Sequence, residues 1–151
     1  MPLGKLMGTL LLVTAMPAMA DTAASTWQED DNGQLQLDNS ALGTWCYTKN
    51  NQVKQRIRDA TVYERNQNCY RRNPPDCIVF SPTGYRTMTS ECSMTKIARA
   101  EAYKNVVVTY KCEQSEALLA PSTEPKRHWT ERAEMGFTSD DYLYIIRRVI
   151  P

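Results

Sequence analysis

The 151-residue chain has little of the equipment that catalysis usually requires. His128 is its only histidine, so any Ser-His-Asp or Cys-His arrangement would have to be built on it. It follows Pro125-Lys126-Arg127 in a stretch that reads as loop, where a solvated or capping role fits better than a general base. No glycine-rich phosphate loop, HExxH helix or EF-hand pattern occurs. The paired carboxylates Asp30-Asp31 and Asp140-Asp141 both stand in turn contexts, where Asp is expected to serve local backbone hydrogen bonds. The cysteines form no CxxC and no Cys/His cluster, which removes the usual zinc spacing. These shortages predict a protein that is not an enzyme and that uses no metal and no cofactor.

Long apolar runs are also scarce. Lys5 is followed by Leu6-Met7-Gly8-Thr9-Leu10-Leu11-Leu12-Val13-Thr14-Ala15 and then by Ala18-Met19-Ala20, a run too short to span a bilayer, with small residues at the −3 and −1 positions of a cut after Ala20. Residues 1–20 therefore read as a signal peptide, and the product is expected in a bacterial periplasm or the medium. Asp21 rather than Cys follows the cut, which predicts no acyl anchor, and no later segment predicts stable membrane insertion. Loss of Lys5 leaves 17 basic against 17 acidic residues, so bulk charge gives no reason to expect nucleic acid. The charge is uneven all the same. Lys49, Lys54, Arg56, Arg58, Arg65, Arg71 and Arg72 crowd one region and Glu113, Glu116, Glu124, Glu131, Glu134, Asp140 and Asp141 another; both read as solvated faces.

What the chain does have is cysteine and strand-forming sequence. Five cysteines in an exported chain read as disulfides. Cys92 and Cys112 are expected to pair, because the segment between them can fold back as a hairpin. Cys46 is expected to pair with Cys69 or Cys77 across an early loop; the Cys69 pairing leaves Cys77 as a thiol. Such a thiol offers redox chemistry only where a neighbour lowers its pKa, and no His, Lys or CxxC stands beside it in sequence.

The mature chain, roughly 131 residues, is of single-domain length. Residues 21–34 are polar, with Asp30-Asp31-Asn32-Gly33 as a turn, and are expected to be flexible; residues 35–151 form the domain. Leu42–Tyr47 and Thr61–Glu64 read as strands, while Val53 and Ile57 are spaced like one helical turn in a segment that also suits a loop. Asn66–Asp76, with Pro74-Pro75, reads as a surface loop. Ser81-Pro82-Thr83-Gly84 predicts a hairpin between Ile78–Phe80 and Tyr85–Thr89, with positive φ at Gly84. Val106–Tyr110 is a strand and Ile97–Asn105 is read as a long hairpin end rather than a helix. Trp129–Phe137 and Tyr142–Ile150 make the last hairpin, after a Pro-containing loop over Glu113–Arg127. The sum is an all-β domain of about seven to eight strands, stapled by disulfides: a small antiparallel barrel, with a β-sandwich as the alternative. Tyr47, Tyr63, Tyr85, Tyr103, Tyr110, Tyr142 and Tyr144 fall on or beside these strands, where flat rings with polar tips suit pockets and interfaces as well as cores.

Gly43-Thr44-Trp45 on the first strong strand, with Arg147 or Arg148 on the last, resembles the lipocalin-related calycin barrels. The small bacterial periplasmic barrels that inhibit metalloproteases share this pattern, and the intervening sequence is similar to uncharacterised exported proteins of Gram-negative bacteria. The resemblance implies that Trp45 packs at the closed end of the barrel, under whichever of Arg147 and Arg148 faces inward. Alternation makes Arg147 the inward residue if Leu143 and Ile145 are inward, and Arg148 if Tyr144 and Ile146 are. The functional expectation is a non-enzymatic binding module that engages a protein partner, with protease inhibition as one form; the alternative is a carrier of a small apolar ligand in the barrel lumen.

Overall fold

Strands form here where apolar residues alternate with polar ones. In Val106–Gln114 positions 106, 108, 110 and 112 are buried while the residues between them are not, the mark of a sheet with one face on a core. The computed structural model describes residues 24–54, 59–65, 68–69, 77–102, 104–115, 125–139 and 142–151. Its strands are β1 (Trp27–Glu29), β2 (Leu35–Leu37), β3 (Gly43–Tyr47), β4 (Thr61–Arg65), β5 (Cys77–Ser81), β6 (Gly84–Arg86), β7 (Ser90–Arg99), β8 (Val106–Gln114), β9 (His128–Ser139) and β10 (Tyr142–Ile150). A 3₁₀ turn at Asn39–Ala41 and a helical turn, α1 (Asn51–Lys54), complete the described elements. The signal-peptide segment and most of the Asn66–Asp76 loop lie outside the described residues, as do Arg56, Arg58, Arg71, Arg72, Tyr103, Asp140 and Asp141. Among the described residues no helix is long and apolar enough to cross a membrane.

β3 to β10 close into one antiparallel barrel in the order β10-β4-β3-β5-β6-β7-β8-β9. The ring is complete because β10 pairs with β9 on one side and with β4 on the other, and this closure sets the fold apart from a sandwich. β4 lies between β3 and β10, so the strand that carries Trp45 and the last strand are not neighbours. β7 runs on to Arg99 and the chain returns at Val106 through a short end held by Ala100 N–H to Asn105 O and Asn105 N–H to Ala102 O.

Two local expectations are corrected. Gly84 pairs with Ser81 across a two-residue Pro82-Thr83 loop, and the positive-φ glycines among the described residues are Gly33 and Gly43, not Gly84. Glycine is needed at 84 for a different reason: a Cβ there would stand 2.0 Å from the carbonyl oxygen of Cys92 on β7, so only a bare Cα lets β6 and β7 approach. The N-terminal stretch is also more structured than its polarity suggests. Over residues 24–37 it forms the β1–β2 hairpin, turned at Asp30, whose carboxylate accepts from Asn32 N–H (2.9 Å) and Gln34 N–H (2.8 Å). Thr26, fully buried, donates its hydroxyl to the carbonyls of Lys104 (3.0 Å) and Met135 (3.1 Å), and Arg99 stacks on Trp27 at 4.3 Å.

The hairpin and the 3₁₀ turn cap one end of the barrel. Leu37 and Ala41 from this cap join Trp45, Val106, Met135, Phe137, Leu143 and Ile145 in a continuous buried cluster. Trp45 is wholly buried; its Nε1–H donates to Ala41 O at 3.0 Å and its ring lies 5.9 Å from Phe137. An eight-stranded barrel is just wide enough for such side chains to fill, and this end is filled.

Candidate functional site

The other end of the barrel is open and polar. β9 shows how. Along it Glu131, Ala133, Met135 and Phe137 are all buried, so the inward phase that supplies core at 133–137 carries a carboxylate into the barrel at 131. On β10 the inward set is Leu143, Ile145 and then Arg147. Arg148 is exposed. Arg147 is the register partner of Ala133, whose methyl leaves the space that a guanidinium needs between neighbouring strands.

Three tyrosines converge on these charges. Tyr63 Oη accepts from Arg147 Nη2 at 3.0 Å, and the guanidinium carbon lies 5.9 Å from the Tyr63 ring centre and 5.4 Å from that of Tyr85. Tyr85 donates its hydroxyl to Glu131 Oε1, while Trp129 Nε1–H donates to Glu131 Oε2 at 3.3 Å. Tyr110 packs edge-on against Tyr85, with centroids 4.9 Å apart. Burial pushes the phenols of Tyr63, Tyr85 and Tyr110 above the ordinary tyrosine range, with Arg147 pulling the other way, so at neutral pH all three remain hydrogen-bond donors. Burial alone would weaken the charge on Arg147, but Tyr63, Tyr85 and Glu131 outweigh it and hold the guanidinium protonated.

Two groups in this network are incomplete. Arg147 Nε and Tyr110 Oη are buried and have no hydrogen-bond partner among the described residues. Buried donors are nearly always satisfied in folded proteins, and an unsatisfied one costs about 1–3 kcal/mol, more when charged. A pocket of about 440 Å³ has Arg147, Glu131, Tyr63 and Tyr85 in its wall, while Tyr110 lies behind Tyr85 and is wholly buried. Its rim includes Tyr47 and Met88, both more than a third exposed. Lys54 on α1 places its ammonium 4.0 Å from the Tyr47 ring centre, a second positive charge beside the entrance.

The residues singled out in the sequence are thus distributed over both ends. Trp45 is at the closed end, but neither Arg147 nor Arg148 covers it. That position belongs to Arg65 on β4, whose guanidinium carbon is 4.3 Å from the indole centre. The reason is topological: β4 separates β3 from β10. Cys92 and Cys112, register partners on β7 and β8, are bonded inside the barrel, and Cys46 is bonded to Cys69. Cys77, outside both bridges, is the register partner of Cys46 and reaches the pocket rim. His128 is exposed at the start of β9, 4.0 Å from Glu113 and away from the pocket. Sequence reasoning missed Glu131 by counting it into a solvated acidic face. The available signal was its phase with Ala133, Met135 and Phe137.

Cys46, Cys69 and Cys77, and separately Cys92, Cys112 and Glu131, hold their ligand-type atoms within 4.8 Å of one another. While the bridges are intact, sulfurs joined to each other lack the thiolate charge that binds a metal. Comparison with protein-family models, with curated proteins and with solved structures gives no match for this chain.

Proposed function

We propose that this is an exported, non-enzymatic binding module whose open barrel end takes a small amphiphilic acid, head inward against Arg147 and apolar body against the Tyr47–Met88 rim. The observation that carries the reading is the buried Arg147 guanidinium, which has a donor to spare at the wall of a pocket of about 440 Å³. That volume lies within the range of roughly 300–1,000 Å³ for small-molecule sites. An anion there would pair with the guanidinium of Arg147 in the pocket wall, as charge-assisted bonds to guanidinium favour. Glu131 stands in the same wall and its charge acts on Arg147, but its oxygens accept from Tyr85 and Trp129, which turn that carboxylate toward the ring donors. Two disulfides fit an oxidising compartment.

The other reading, a protein partner, draws on the same exposed Tyr47 and Met88. A stable protein interface needs about 800 Å² from each side, far more than two side chains offer. A protein partner docked through an extended N-terminal arm gains little from β1 and β2, which are folded back onto the barrel. A wholly apolar ligand in the lumen is less well served than an acid, because described side chains fill the capped end and the wall of the open end carries Arg147 and Glu131.

The test is a titration monitored by tryptophan fluorescence and native mass spectrometry, using decanoate, decanol and decylamine below their aggregation limits. Decanoate should bind saturably and at least about tenfold more tightly than decanol, since hydrogen bonds to a charged group contribute about 1.5–3 kcal/mol. Arg147→Met should erase that preference. Equal affinity for acid and alcohol, or an Arg147→Met protein that binds decanoate like the parent, overturns the reading.

A further inference from the structure

We infer that Cys46, Cys69 and Cys77 form a thiol–disulfide exchange site, in which the Cys77 sulfur displaces Cys69 from Cys46 and the bridge moves to a pair of directly opposed strand residues. The three sulfurs lie within 4.8 Å of one another, so the attacking sulfur is already beside the bond it would break. Cys46 and Cys77 face each other across β3 and β5. The same chain shows that this arrangement accepts a bridge: Cys92 and Cys112 face each other across β7 and β8 in the same antiparallel sense, and they are bonded. The Cys46–Cys69 bond, by contrast, joins β3 to a residue outside the barrel strands.

The step balances without any outside reagent. The Cys77 thiolate attacks Cys46 Sγ, a Cys46–Cys77 bond forms, the Cys46–Cys69 bond breaks, and its electron pair leaves on the Cys69 sulfur. Cys69 takes up the proton that Cys77 gave away. One thiol and one disulfide remain throughout. Cys46 and Cys69 are wholly buried, and although the sulfur cluster as a whole is buried, Cys77 is the less enclosed residue and borders the open pocket, which makes it the thiol from which the exchange starts. The inference rests on the sulfur positions and the strand register, and stands whether or not the barrel mouth binds an acid.

The experiment is disulfide mapping of the parent protein. After incubation at pH 6, 7 and 8, samples are quenched in acidic guanidinium with N-ethylmaleimide, where exchange is suppressed, and digested without reduction. Both isomers are expected: Cys46–Cys69 with label on Cys77, and Cys46–Cys77 with label on Cys69. Their approach to a constant ratio should quicken by about tenfold per pH unit below the thiol pKa. Label confined to Cys77 at every time and pH overturns the inference, as does a Cys69–Cys77 bridge with label on Cys46. A Cys69→Ser variant gives a second reading. A Cys46–Cys77 bridge in that variant supports the site, and maleimide on both cysteines of a folded variant overturns it. If Cys69→Ser fails to fold, the parent map decides alone.

Discussion

Trp45 and Arg65 are register partners on β3 and β4, and the Arg65 guanidinium carbon stands 4.3 Å from the centre of the Trp45 ring. The indole is fully buried and the arginine is exposed, so the two contribute very unequally. Trp45→Ala should destabilise the domain by about 3–5 kcal/mol, as large aromatic truncations in cores do. Arg65→Ala should cost about 0.5–1 kcal/mol, the scale of an exposed cation–π contact. Urea unfolding of both variants checks this; a loss on Arg65→Ala as large as that on Trp45→Ala would show that the arginine, not the ring, organises the closed end.

The contrast between Trp45 and Arg147 shows what the sequence could and could not convey. Strands are legible in the sequence, and so is the alternation along 106–112, because alternation is a local property. The choice between Arg147 and Arg148 stayed open since both phases of β10 contain large apolar residues. Which arginine meets Trp45 was not legible, because it depends on the insertion of β4 between β3 and β10, a long-range pairing that no local pattern encodes. Gly84 marks a hairpin in the sequence, but the need for glycine there is set by the distant carbonyl of Cys92, which no local pattern shows. The pocket is partly legible: its tyrosines fall on recognisable strands, whereas Glu131 sits among acidic residues that suggest a solvated face, and only its phase on β9 places it inside.

Two glycines separate close approach from backbone conformation. At Gly84 an added Cβ would meet backbone at 2.0 Å, whereas at Gly43, with φ of 93°, nothing lies within 4 Å. Gly43→Ala should cost about 1–2 kcal/mol, the strain of a left-handed L-residue. Gly84→Ala should cost more than that, because neither strand can yield without breaking ladder hydrogen bonds. Thermal unfolding of the two variants gives the order, and a milder effect at Gly84 would contradict the packing of β6 on β7.

The buried phenols predict how stability depends on alkaline pH. Tyr63, Tyr85 and Tyr110 have folded pKa values above the unfolded value near 10, so their contribution is complete below about pH 10. Above it the unfolded chain releases protons that the folded chain retains. Each of the three should then lower stability by about 1.4 kcal/mol per pH unit until its folded pKa is reached. Phenolate absorbance should rise in two stages, exposed tyrosines first and the buried three together with the loss of far-ultraviolet dichroism. Full ionisation of all eight tyrosines while the dichroism stays native would contradict their burial.

Tyr85 and Tyr110 touch, yet their hydroxyls stand in opposite situations. Tyr85 donates to Glu131, a buried carboxylate, while Tyr110 Oη has no partner among the described residues. Removing the Tyr85 hydroxyl strips a donor from a buried charge and should cost about 1.5–3 kcal/mol. Removing the Tyr110 hydroxyl relieves an unsatisfied group, so Tyr110→Phe should be neutral or stabilising by up to about 1–3 kcal/mol. The two changes delete the same atom type from adjacent rings 4.9 Å apart, which controls for loss of packing. Equal destabilisation by Tyr85→Phe and Tyr110→Phe would mean that Tyr110 Oη is satisfied in solution.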